Sequence, residues 1–207
     1  MDLLFPSLIL SSQDLEFDSY KKDYIDYCYS LKRKSKGVTK SNRLGWQSHS
    51  DLYKDEENPL IRRMFRQVVN TLRGDGARPS FYNEEFFKKN NYNIQMNALW
   101  VSINPRYATN IQHVHSPDAV AGVFYIKTSK NCGDLVFPNE ADGRNPKLYD
   151  ILNNELKEKW NMHPTYTYAP KEGRMILFDG ALPHFVDPNL SRADRISMSF
   201  NLNFINN

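Results

Sequence analysis

The sequence predicts a mainly β protein with flanking helices, in which short strands build a closed or double-sheet, jelly-roll architecture. Two observations predict this fold. From about Tyr92 onward, apolar residues stop recurring at helical spacing and begin to alternate with polar ones. Turns that contain Pro or Gly separate these short alternating segments. The helical first half is expected to cover one outer face of the sheets.

The length and composition are those of one globular domain. With 207 residues, we expect a single domain, in which residues 1–91 form an N-terminal helical support region. Residues 92–207 form the β core, with a helical insertion near 147–160. The two cysteines, Cys28 and Cys132, form no CxxC pair, which fits a reducing, cytoplasmic compartment.

The charge and hydropathy patterns exclude some partners. A net charge of +3 does not by itself indicate a nucleic-acid partner. The basic run at residues 32–36 is interpreted as a solvated helix end rather than a binding patch. No apolar run approaches the roughly 20 residues of a membrane span, so no membrane partner is expected. The sequence does not determine the oligomeric state.

Apolar side chains at helical spacing predict two helices in the first half. The first is expected to end near Gly37, and its apolar positions are Tyr20, Tyr24, Tyr27, Cys28 and Leu31. The second is better marked, because Asn58 can cap it, Pro59 suits its first turn and Gly74 closes it. Its apolar face comprises Ile61, Met64, Phe65, Val68 and Leu72. The polar residues 40–48 between the helices are expected to form a loop.

Seven strands are predicted in the second half. They cover residues 94–104, 119–128, 134–137, 165–169, 174–178, 184–186 and 195–204. The last is the clearest, because Ile196 and Met198 fall on one face while Arg195 and Ser197 fall on the other. If Arg195 and Ser197 line a cavity between the sheets, the apolar face packs against the helices.

Three of the five histidines indicate a metal site. Side chains two apart on an extended segment share a face, so His113 and His115 can point the same way. His184, arriving from a distant strand, can complete a facial set of three ligands. Imidazole suits iron, zinc, copper or nickel, so the ligand type alone does not choose the metal.

An arginine on the polar face of the last strand indicates an acidic ligand. The planar guanidinium of Arg195 can bind a carboxylate through two hydrogen bonds, and Ser197 can donate a third. The alternative is a structural salt bridge between Arg195 and Asp187 or Asp194.

The ordered series of motifs resembles the 2-oxoglutarate- and Fe(II)-dependent oxygenases, close to their prolyl-hydroxylase-like branch. In chain order the motifs are His113-Val114-His115, Phe124-Tyr125-Ile126, Gly133-Asp134-Leu135-Val136-Phe137-Pro138, Pro170-Lys171-Glu172-Gly173-Arg174-Met175-Ile176-Leu177-Phe178, His184 and Arg195-Ile196-Ser197. In the first half, Gly45-Trp46-Gln47-Ser48 resembles a small uncharacterised group of such oxygenases.

This resemblance implies a double-stranded β-helix and a dioxygenase that hydroxylates an unactivated C–H bond. The implied substrate is a prolyl or other amino-acid side chain in a peptide, or a small molecule. The implied cofactors are Fe(II), 2-oxoglutarate as co-substrate and O2, with ascorbate as an optional reductant.

The resemblance also assigns site residues. His113 would be the first iron ligand and His184 the distal one. The co-substrate would be bound by Arg195, Ser197, Tyr125 and Asn104. The chain departs from the family's His-x-Asp pattern, because His115 occupies the third position. Either His115 replaces the carboxylate, which needs no distortion, or Asp118 swings in.

Two other functions remain compatible with the sequence. One is a cupin-like metalloenzyme that uses three histidines without 2-oxoglutarate. The other is a degenerate jelly-roll binding module that has lost its carboxylate ligand.

Overall fold

The structure is a computed structural model that describes residues 7–74, 84–139, 153–159 and 163–206. In these ranges the helices are α1 (Phe17–Lys34), α2 (Pro59–Arg73), α3 (Glu84–Asn90) and α4 (Asn154–Lys159). The strands are β1 (Ile9–Gln13), β2 (Asn42–Arg43), β3 (Trp46–Gln47), β4 (Tyr92–Asn104), β5 (Thr109–His113), β6 (Val120–Lys127), β7 (Leu135–Pro138), β8 (Thr165–Tyr168), β9 (Arg174–Asp179), β10 (His184–Val186) and β11 (Arg195–Asn206).

The strands form two antiparallel sheets that face each other. The major sheet has the order β1-β9-β6-β11-β4-β3, and the minor sheet has the order β2-β5-β10-β7-β8. A buried apolar cluster joins them, with Val123 and Phe178 from the major sheet against Leu135 and Phe137 from the minor one. This arrangement confirms the predicted jelly roll, here a double-stranded β-helix.

The alternation along β11 separates two environments, as the sequence predicts. Ile196 and Met198 are fully buried in the larger core, which lies between the major sheet and helices α1 and α2. Arg195 and Ser197 line the cavity between the sheets. Because a strand has a side-chain period of two, β11 supplies both the core and the cavity wall.

Helix α2 follows its sequence signals closely. The Asn58 side chain accepts the Leu60 N–H at 3.1 Å, and Pro59 occupies the first turn. Gly74 ends the helix with φ of 76°, a conformation that favours glycine. The predicted apolar face is buried against the core except at Phe65, which is half-buried. Helix α1 ends at Lys34 rather than near Gly37, because the backbone is already extended at Ser35.

All seven predicted strands are present, but four strands were not expected. Residues 40–48 are not simply a loop, because β2 pairs with β5 and β3 pairs with β4. Strands of two residues are too short to show alternation, and β1 lies in the half of the chain that was predicted to be helical. Of the insertion predicted near 147–160, helix α4 is described, whereas residues 147–152 and 160 lie outside the described residues.

Within the described ranges, none of the helices has the length and apolar character required to cross a bilayer.

Candidate metal and co-substrate site

Strand pairing in the minor sheet brings the three predicted histidines together. His113 ends β5 and His184 begins β10, and the two residues are direct partners in the antiparallel ladder. His115 follows two residues after His113, and its N–H donates to the Gly180 carbonyl at 2.7 Å. One ligand atom from each imidazole lies within 4.8 Å of the others. The geometry therefore fits a single ion held by three nitrogens.

Backbone carbonyls fix the orientation of two of these rings. His113 Nδ1 lies 2.7 Å from the Ile111 carbonyl, and His184 Nδ1 lies 2.9 Å from the Leu182 carbonyl. A carbonyl only accepts, so each Nδ1 carries the proton and each Nε2 keeps its lone pair. This is the outer hydrogen bond that metal-ligating histidines usually make.

The surroundings keep the rings neutral. Burial, helped by the two neighbouring imidazoles and opposed by the hydrogen bond to the Leu182 carbonyl, lowers the pKa of His184 to about 3. Burial and His113 likewise lower the pKa of His115 to about 4, although Asp118 opposes that shift. The pKa of His113 is lowered by burial too. Neutral imidazole is the form that coordinates a metal, so the donor set suits a cation near neutral pH.

The alternative ligand, Asp118, is engaged elsewhere. Its carboxylate accepts hydrogen bonds from the side-chain amides of Asn97 at 2.5 Å, Asn201 at 2.6 Å and Asn203 at 3.1 Å. Among the described residues, the histidine cluster that could hold an ion does not include it. Coordination by Asp118 would require breaking this amide network.

Arg195 is a buried cation that forms no ion pair in the described part of the chain, although the charge of Asp134 acts on it from farther away. Its side chain is 3% exposed, and Nη1 donates to the Gly133 carbonyl at 3.0 Å. Nε is buried without a hydrogen-bond partner there, and no described carboxylate lies within 4.0 Å of the guanidinium. The alternative salt bridge is not formed, since Asp194 instead accepts the Tyr29 hydroxyl at 2.8 Å. A buried, unpaired guanidinium is costly, so its position favours an anionic ligand.

A polar wall connects Arg195 to the histidines. Ser197 pairs with Ser102 on one side and with Tyr125 on the other, so three hydroxyls lie side by side across the major sheet. Burial raises the pKa of Tyr125 to about 12, with Arg195 acting in the opposite direction, so the phenol is a hydrogen-bond donor at neutral pH. The wall offers donors, as a carboxylate ligand requires.

Asn104 is the direct ladder partner of Arg195 and shares a sheet face with Ser102, but it does not line the cavity itself. It is fully buried, and its amide donates to Asn110 Oδ1 at 3.2 Å. Asn110, which lines the cavity, donates to Ser41 Oγ at 3.1 Å. The hydroxyl of Ser41 lies 3.4 Å from His113 Nε2.

Ser41, Ser102 and Asn110 also line the cavity, although their positions in the sequence did not predict it. For Ser102 the alternation along β4 was a usable signal, because it lies two residues from Trp100 on the same face. Trp100 also lines the cavity, with its ring 5.6 Å from that of His115.

Comparison with known families identifies the chain. Residues 98–201, half of the chain, match the family model described as "Putative 2OG-Fe(II) oxygenase". The chain belongs to this 2-oxoglutarate/Fe(II) oxygenase family. No curated protein sequence matches it.

Solved structures of 2-oxoglutarate/Fe(II) oxygenases share the fold at low sequence identity. A Pseudomonas putida prolyl-4-hydroxylase is 14% identical, with 93% of this chain and 91% of that one covered and a TM-score of 0.57. A Trichoplax adhaerens prolyl hydroxylase in complex with a hypoxia-inducible-factor peptide fragment is 14% identical, with 94% and 82% covered and a TM-score of 0.57. HygX from Streptomyces hygroscopicus, with nickel, 2-oxoglutarate and hygromycin B bound, is 11% identical, with 95% and 83% covered and a TM-score of 0.59.

As a 2-oxoglutarate/Fe(II) oxygenase, the protein is an oxidoreductase of the dioxygenase class that uses Fe(II), 2-oxoglutarate and O2. Family membership therefore decides against the cupin-like metalloenzyme without 2-oxoglutarate and against the binding module.

Proposed function

We propose that His113, His115 and His184 hold the Fe(II) of this oxygenase. The single observation that carries the proposal is the convergence of three neutral imidazoles, within 4.8 Å of one another, in the cavity that Arg195 also lines. The tautomers support it, because His113 and His184 keep Nε2 free for coordination. The amide network around Asp118 supports His115 as the third ligand.

The co-substrate is proposed to bind with its distal carboxylate on Arg195. Ser197 and Tyr125 are hydroxyl donors beside that position, and Ser102 extends the row. Asn104, the ladder partner of Arg195, is proposed to reach the same co-substrate, and its amide also donates to Asn110, which lines the cavity.

When bound, iron and 2-oxoglutarate would activate O2 for C–H hydroxylation, with one oxygen atom entering the substrate, the other entering succinate, and CO2 released. The protein itself orients the co-substrate and the substrate and excludes water from the site. Trp100 and Val123 provide apolar wall beside the polar row, and Tyr125 remains protonated. Neither Arg195 nor Tyr125 changes its protonation state in this scheme.

The proposed reaction is hydroxylation of an amino-acid side chain, prolyl or other, in a peptide or a small molecule. Two similar structures are prolyl hydroxylases, one of them in complex with a peptide, and a third holds hygromycin B. The two described cysteines, Cys28 and Cys132, are buried and free, which supports the cytoplasm as the compartment.

Turnover without a prime substrate tests the proposal. With Fe(II), O2 and 2-oxoglutarate, the protein should form succinate slowly, and Arg195→Ala should abolish both this turnover and 2-oxoglutarate binding in isothermal titration. Iron-loaded protein that neither binds 2-oxoglutarate nor forms succinate would refute the assignment of the co-substrate site.

A further inference from the structure

A basic segment, defined here as residues 32–43, runs from the end of α1 to the cavity. Its six cations are all exposed, and they are Lys32, Arg33, Lys34, Lys36, Lys40 and Arg43. No acidic residue occurs between Asp26 and Asp51. The chain has 27 Lys and Arg against 24 Asp and Glu, so without this segment 21 cations would face 24 acids. The segment therefore accounts for the entire positive excess of the protein.

Helix stability explains only the first three of these charges. Lys32, Arg33 and Lys34 lie in the last turn of α1, where cations interact favourably with the helix dipole. Lys36, Lys40 and Arg43 lie beyond the helix and receive no such benefit. Within the described part of the chain, no carboxylate forms an ion pair with any cation of the segment.

The far end of the segment touches the proposed iron site. Ser41 lines the cavity, its hydroxyl lies 3.4 Å from His113 Nε2, and its carbonyl accepts the Ile111 N–H at 3.0 Å. Lys40 and Arg43 lie one and two residues from Ser41, within about 8 Å of chain. This is the open side of the cavity, because His113 is half-buried there whereas Arg195 is buried.

The cavity between the sheets is narrow, with a volume of about 50 Å³. In the proposed function this cavity is where the iron and 2-oxoglutarate bind. The prime substrate then reaches it through its open side and contacts the surface around that opening, where the basic segment lies.

We infer that the prime substrate is an acidic peptide segment of a protein, which presents one side chain to the cavity while its carboxylates contact the basic segment. The inference rests on the proposed function and specifies its substrate class. A single-stranded nucleic acid fits less well, because the segment carries no aromatic side chain on which bases could stack.

Fluorescence anisotropy with labelled peptides tests the inference on the full chain loaded with Fe(II) and 2-oxoglutarate. The probes are alternating Glu-Pro, Gln-Pro and Lys-Pro peptides of about 12 residues, long enough to follow the segment. The Glu-Pro peptide should bind most tightly, and its affinity should fall as salt is added. Lys36→Gln combined with Lys40→Gln should weaken its binding by about fivefold or more.

The matched control is Arg62→Gln combined with Arg66→Gln. It also removes two exposed cations, but from α2, which does not line the cavity, and should leave peptide binding unchanged. The inference is overturned if the three peptides bind equally, if both double variants weaken binding equally, or if a single-stranded oligonucleotide binds more tightly than the Glu-Pro peptide.

The test does not depend on the variants folding. If a variant misfolds, the affinities of the unsubstituted protein for the three peptides, measured over a series of salt concentrations, still test the inference. If 2-oxoglutarate fails to bind, the proposed function fails; if it binds without a preference for the acidic peptide, only this inference fails.

Discussion

His113 and His184 face each other directly across strands β5 and β10, with ring centroids 4.4 Å apart. A slip of one residue between these strands would turn one of the two rings to the other face of the minor sheet. The register of two short strands therefore determines whether the proposed iron site exists.

Replacing His184 should remove the metal without unfolding the chain. His184→Ala deletes one of three ligands, and it also removes a 4% exposed ring that packs against Phe178 and Phe137. We expect loss of stoichiometric iron, with a decrease in the free energy of unfolding of about 1–3 kcal/mol. Metal analysis and circular dichroism measure the two effects. The exposed His49 provides the control variant, His49→Ala, and full iron occupancy in His184→Ala would contradict the proposed site.

The third ligand can be identified by comparing substitutions at two positions. His115→Ala should lose iron, whereas Asp118→Asn should keep it, because the Asp118 carboxylate is bound to three amides. Asp118→Asn should still lower the free energy of unfolding by about 1–3 kcal/mol, since it replaces a charged acceptor in that network. Iron titration followed by urea unfolding separates these effects. If Asp118→Asn lost iron and His115→Ala kept it, Asp118 rather than His115 would be the third ligand.

Regular patterns in the sequence predicted most of the fold. The alternation along β11 correctly separated Ile196 from Arg195, and the caps Asn58 and Gly74 correctly bounded α2. Three of the four missed strands, β1, β2 and β3, lie at sheet edges, and β3 exists because Trp46 pairs with a residue more than fifty positions away. Local periodicity carries no information about such pairing.

The candidate site was partly predictable for a different reason. The histidines and Arg195 have few structural roles in a buried cavity, so their residue types indicated chemistry. Ser41 is an ordinary loop serine by sequence, and only the pairing of β2 with β5 brings it to His113. Asn104 stays a predicted co-substrate residue, and the sequence could not show that its amide donates to Asn110.

Removing the guanidinium of Arg195 should abolish co-substrate binding specifically. Arg195→Lys keeps the positive charge but cannot make the bidentate contact with a carboxylate, so its affinity for 2-oxoglutarate should fall by about tenfold or more. Ser197→Ala should reduce that affinity by a smaller factor. Iron binding should remain in both variants, because neither side chain belongs to the histidine cluster. Isothermal titration with 2-oxoglutarate measures the series. Equal affinity in Arg195→Lys and the unsubstituted protein would argue against a bidentate carboxylate contact.

Gly133 should control the same site through the backbone. It has φ of 92°, and a Cβ there would lie 2.1 Å from the Asp187 carbonyl oxygen, so Gly133→Ala must displace one of the two chains. Because the Gly133 carbonyl accepts from Arg195, the guanidinium should move as well, and 2-oxoglutarate affinity should fall together with stability.

Gly173→Ala is the matched control, since Gly173 has φ of 73° and its added Cβ would meet Phe17 on the helical side of the sheet. It should lower the free energy of unfolding but leave 2-oxoglutarate affinity unchanged, as measured by urea unfolding and isothermal titration. If both variants weaken co-substrate binding to the same extent, the effect comes from general destabilisation and not from the contact with Arg195.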